Sequence, residues 1–94
     1  MIGERVFRRS EIALTRSVAA EVLLARAGRE QIDVLSGPGA MVWDLLAEPR
    51  TASELAVELA ELYAAPLRTV EPDVRRLLDD LEKRGWIAID GYRA

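Results

Sequence analysis

The chain has 94 residues, half of them hydrophobic and 31% charged, with 13 Lys and Arg against 16 Asp and Glu for a net charge of −3. That is a globular composition sized for one small domain, spanning residues 1–94, and its acidic balance argues against a protein held to nucleic acid by phosphate neutralisation. There is no cysteine and no histidine, which excludes disulfides, thiolate metal sites and Cys nucleophiles, and removes the usual base near neutral pH.

The start, Met1-Ile2-Gly3-Glu4-Arg5, lacks the basic-then-apolar pattern of a signal peptide, and no apolar run reaches the ~20 residues of a membrane helix. A cytoplasmic, non-catalytic protein with no cofactor and no membrane partner is expected.

Residues 5–35 run in short alternating stretches. Glu11-Ile12-Ala13-Leu14-Thr15 alternates polar and apolar, Glu21–Arg26 is β-rich, and Ala27-Gly28-Arg29 suits a hairpin turn. Gln31-Ile32-Asp33-Val34 puts Ile32 and Val34 on one face and Gln31 and Asp33 on the other. These three strands predict an antiparallel meander with a single apolar face.

From Ser36-Gly37-Pro38-Gly39 the period becomes helical. Ser36 is the expected cap of a first helix, which carries Met41, Val42, Leu45 and Leu46 and stops near Glu48 ahead of Pro49. Thr51-Ala52-Ser53-Glu54 reads as a capping box opening a second helix that Pro66 ends. A third is expected to start from a Thr69 cap, with Glu71 and Asp73 near the positive end of its dipole. Its stripe is Val70, Val74, Leu77, Leu78 and Leu81, and Gly85 supplies a left-handed end. Trp86-Ile87-Ala88-Ile89 then forms a short extended tail. Because each element has one apolar stripe, the predicted class is α+β, with a three-stranded N-terminal sheet packed on a three-helix bundle.

Little in this inventory suggests chemistry. Asp79-Asp80 are helix neighbours that diverge by about 100° and do not converge on a substrate. The Ser36–Gly39 turn lacks the Lys and hydroxyl of a phosphate loop, and Trp43 and Trp86 suit core and edge anchoring. Arg75-Arg76 and Lys83-Arg84 are interleaved with acids at pairing distance. One feature stands out. The strand at residues 30–35, third in its meander, has no Pro or Lys to blunt an open edge, and an amphipathic helix beside such an edge makes a slot for an extended peptide.

Residues 32–87 resemble the PqqD-like family of peptide-recognition elements. The likeness is carried by Leu35-Ser36-Gly37 leading into a helix with Trp43 and Leu45-Leu46, and by Pro49-Arg50-Thr51-Ala52-Ser53-Glu54-Leu55. The Asp73-Val74 pair and the Leu77/Leu78, Leu81 and Gly85 close complete the set. The resemblance implies a winged-helix-like fold. It also implies that the leader of a ribosomally made precursor peptide adds antiparallel to the third strand, lies against the third helix, and is delivered to a partner protease, cyclase or radical-SAM enzyme.

The expected pairing residues are Gln31, Ile32, Asp33, Val34 and Leu35, facing the helix flank of Asp73, Arg76, Leu77 and Asp80. The other flank, Arg75, Leu78 and Glu82, is the alternative. A winged-helix DNA-binding regulator has the same element order, but the third helix has no net positive charge and no Asn or Gln.

Overall fold

The expected meander is present in the computed structural model, which describes residues 3–93. Strands β2 (Ala13–Val18), β3 (Glu21–Arg26) and β4 (Ile32–Leu35) form an antiparallel sheet in that order. Gly28, at φ 79°, makes the turn before β4.

A second sheet was not foreseen as such. Strand β1 (Glu4–Arg9) does not join the meander. It forms the middle of an antiparallel sheet between β5 (Arg50–Thr51) and β6 (Ile87–Arg93), so the tail after Gly85 is a full strand. The fold is therefore a small α+β arrangement of three helices with two three-stranded sheets. A register shift between Arg5 and Phe7 interrupts the β1–β6 ladder, and Val6 and Phe7 are both buried despite being consecutive.

Helix α1 (Pro38–Leu45) follows β4 directly. Its N-cap is Gly37 at φ 54°, with no side-chain bond, so Ser36 does not cap it; the Ser36 carbonyl instead accepts the Gly39 N–H at 3.2 Å. The helix ends at Leu45, three residues short of Glu48. Helix α2 (Ala52–Leu62) has the expected capping box: Thr51 Oγ1 accepts the Glu54 N–H at 3.1 Å, and Glu54 Oε1 accepts the Thr51 N–H at 2.8 Å. It ends ahead of Pro66, at a turn in which Ala64 takes φ 50°.

Helix α3 (Leu67–Lys83) begins before Thr69, with Pro66 as N-cap. The Pro66 carbonyl accepts the N–H of Thr69 and of Val70 at 3.0 and 3.1 Å, so no hydroxyl is needed there. The earlier start moves Glu71 and Asp73 out of the first turn. At the other end Gly85 (φ 81°) and Trp86 return N–H bonds to Glu82 and Leu81 at 2.9 and 3.0 Å, closing a Schellman turn. No helix among the described residues is long and apolar enough to cross a membrane.

The core joins Phe7, Val22 and Leu24 of the sheets to Val42, Trp43, Leu55, Leu59, Leu78 and Leu81 of the helices, with Trp86 and Ile87 closing one end. On the outer strands of the meander the expected face is inverted. Ile32 and Val34 are 59% and 52% exposed, and Leu14 is 55% exposed, while Asp33, half-buried, and Thr15, itself exposed, lie on the side of buried Leu24. The reason lies in the two indoles. The Trp43 N–H donates to Thr15 Oγ1 at 3.1 Å and the Trp86 N–H to Asp33 Oδ2 at 2.6 Å, so the sheet supplies the acceptors that two nearly buried donors require. Leu24, paired across the ladder with both Thr15 and Asp33, fills the space between them.

Candidate functional site

Strand β4 pairs with β3 along one edge and with no described strand along the other. The C-terminal end of β4 meets α1 and α3 at Gly39. A Cβ added there would lie 3.8 Å from Leu35 Cβ and 4.0 Å from Leu77 Cδ1, ordinary van der Waals distances, so strand, turn and helix come together there with room left for a methyl group. Beyond that point is an apolar cavity of about 150 Å³ whose lining includes Pro38, Tyr63, Val70, Asp73 and Leu77.

At the opposite end of β4 lies a polar cavity of about 220 Å³ lined by Arg26, Arg29, Gln31, Asp33, Arg84 and Trp86. Asp33 is its organiser. Its carboxylate accepts from the Trp86 indole and faces Arg84 Nη1 at 3.4 Å, and Arg84 Nε lies 3.2 Å from Asp80 of α3. The indole hydrogen bond, with Arg84 adding to it, holds the Asp33 carboxyl below the usual carboxylate range, against the cost of its partial burial. The Arg26 guanidinium sits over the Trp86 ring at 4.7 Å and donates to the Arg84 carbonyl, while its Nε is buried without a hydrogen-bond partner.

The expected residues divide as follows. Asp33 and Leu35 are half-buried and turn toward the inner side of β4; Gln31 lies at the polar cavity; Ile32 and Val34 point to the outer face of the sheet. On α3, Asp73 and Leu77 border the apolar cavity and Asp80 reaches the polar end through Arg84. Arg76 is exposed and paired with Asp73 at the rim.

The alternative flank is engaged elsewhere. Arg75 lies 3.2 Å from Glu4 of β1 and 2.8 Å from Glu71, Arg5 of β1 bridges to Glu82 at 3.6 Å, and Leu78 is buried. Residues 73, 77 and 80 therefore mark the flank of α3 on the β4 side. Arg26, Arg29 and Tyr63 also line the two cavities though the sequence reading did not include them; Arg26 meets Arg84 and Trp86 from far along the chain, whereas Arg29 lies only two residues before Gln31. Among the described residues no group of three His, Cys, Asp or Glu is placed to hold a metal ion.

A family model described as coenzyme PQQ synthesis protein D (PqqD) matches residues 21–87. Among solved structures the chain is similar to TbiB1 in complex with the TbiA(beta) leader peptide, at 24% identity and a TM-score of 0.77, covering 93% of this chain and 99% of that one. It is also similar to the PqqD truncation of Methylobacterium extorquens PqqCD, described as a functional, stand-alone recognition element for ribosomally synthesised and post-translationally modified peptides. That match has 21% identity, a TM-score of 0.71 and 88% coverage of both chains. At these identities the likeness is one of fold. No curated protein matches the chain.

Proposed function

The chain belongs to the PqqD family, and from that membership and the open edge of β4 we propose that it binds the leader of a ribosomally made precursor peptide and presents it to a modifying enzyme or protease. The single observation that carries this reading is the unpaired edge of β4 beside the Asp73–Leu77–Asp80 flank of α3. A strand added there gains main-chain hydrogen bonds from β4 and side-chain contacts from the helix. Gln31, Ile32, Asp33, Val34 and Leu35 supply the pairing backbone, and Asp73, Arg76, Leu77 and Asp80 the facing wall.

In this reading residues 1–94 act as one peptide-recognition domain, winged-helix-like in the order of its helices and last strand, and cytoplasmic like the ribosomal product it receives. It performs no chemistry itself, in keeping with a sequence that has neither His nor Cys. The partner enzyme is a protease, a cyclase or a radical-SAM enzyme. The regulator alternative is disfavoured by α3, where Arg75 and Arg76 are paired with acids and Arg84, at its end, faces Asp80 and Asp33.

The test is fluorescence anisotropy with a synthetic leader peptide, taken from a precursor found by reading the frames that neighbour this gene. Backbone N–H groups alternate between the two edges of a strand, so of Ile32→Pro and Leu35→Pro, both within β4, one removes an outward donor and the other a bond to β3. We expect micromolar binding by the parent, worth about −8 kcal/mol. At least one variant should stay folded by circular dichroism yet lose most of its affinity. If every folded proline variant binds like the parent, the peptide docks elsewhere.

A further inference from the structure

The two ends of β4 differ sharply in chemistry. At the Leu35 end the cavity is walled by Pro38, Val70 and Leu77, and its charged lining residue is an acid, Asp73. At the Gln31 end three guanidiniums, from Arg26, Arg29 and Arg84, line a cavity with one carboxylate, Asp33. That carboxylate is already engaged by Trp86 and Arg84. Arg29 is exposed and has no acid partner among the described residues. Arg26 sits over an indole, and its Nε is shielded from water without a compensating bond, so a carboxylate meeting this guanidinium faces a group whose desolvation is partly complete.

We propose that this slot is polarised, and that it selects peptides carrying an apolar side chain followed, toward their C-terminus, by an acidic one. The inference rests on strand addition at β4 and deepens it. Both ladders of the meander are antiparallel, and a further strand in the same sense passes Leu35 before it passes Gln31. The step from Leu35 to Gln31 or on to Arg29 sets the spacing at roughly four to six residues, at about 3.3 Å each. The reverse order is penalised because it places the peptide's apolar group among the arginines and leaves its acid at the end where Asp73 is already paired with Arg76.

A display library of random twelve-residue peptides, panned on the full chain, tests this directly. The parent should enrich sequences in which an apolar residue precedes Asp or Glu by that spacing. A synthetic peptide of the enriched sequence should lose affinity about tenfold when its acid is changed to the amide, as expected for a charge-assisted pair. On the exposed-site variant Arg29→Glu the same change should cost much less, and panning should turn toward Lys or Arg at that position. Enrichment of the apolar anchor without an acid, or of the acid first, overturns the polarity while leaving strand addition in place. Failure of any peptide to bind the folded parent overturns strand addition itself, and the polarity with it.

Discussion

Asp33 is the residue on which the slot and the fold both depend. Its replacement by alanine leaves the nearly buried Trp86 N–H without an acceptor and Arg84 without one of its two acids. We expect a stability loss of about 1–3 kcal/mol, read from urea unfolding, with Asp33→Asn losing less because an amide oxygen can still accept from the indole. The carboxyls of Asp33, Glu4 and Glu54 are all held below their ordinary range, chiefly by hydrogen bonds: from Trp86 to Asp33, from Ser53 to Glu4, and from the Thr51 backbone to Glu54. For groups lowered in the folded state, the stabilisation is complete above their unfolded values, about 4, and is lost as pH falls through the folded ones. The parent should therefore weaken below about pH 4, and Asp33→Asn should show a shallower acid limb. An identical limb in the two proteins would assign the effect to Glu4 and Glu54.

Among the elements, the inverted outer face of the meander makes the most unusual claim about energetics. If Ile32 and Val34 were core residues, as their alternation suggests, polar substitution would unfold the protein. Because both are exposed, Ile32→Ser and Val34→Ser should stay within about 0.5 kcal/mol of the parent. Thr15→Val, apolar and nearly isosteric, should cost more than either because it strands the Trp43 N–H. Thermal melts of the three variants rank them. A core-sized loss at Ile32 or Val34 would contradict the inversion.

This contrast also shows how far residue patterns reach. Signals contained within a few residues were readable: the Thr51–Glu54 box, the left-handed Gly85, the turn at Gly28 and the three strands of the meander. What was hidden depends on partners distant in the chain. β1 pairs with a strand some eighty positions later, and Thr15 and Asp33 accept from indoles 28 and 53 residues away. Alternation says that two faces differ, not which one an indole will claim. The arginine-lined end of the slot was illegible for the same reason, since Arg26 and Arg84 are 58 residues apart. The Thr69 cap failed differently: a hydroxyl was preferred where the Pro66 carbonyl already met the donors.

At the scale of the molecule, the Asp33–Trp86 bond fastens the end of the open strand to the residue that leads into β6, so the slot is braced by the second sheet as well as by its own. That bracing keeps β4 extended when nothing is added to it, and an extended edge does not distinguish a peptide from another copy of itself. The four residues Ile32–Leu35 contain neither Pro nor Lys, the usual blunting devices, and two copies can meet there antiparallel about a twofold axis. So short a ladder should hold only in concentrated solution. Sedimentation should find monomers when dilute and a growing dimer fraction as concentration rises, with bound peptide abolishing the dimer. A dimer that persists with peptide bound would lie on another surface. If the edge is where copies meet, self-association competes with loading by mass action, and adding more of the protein leaves a smaller fraction of it free to bind.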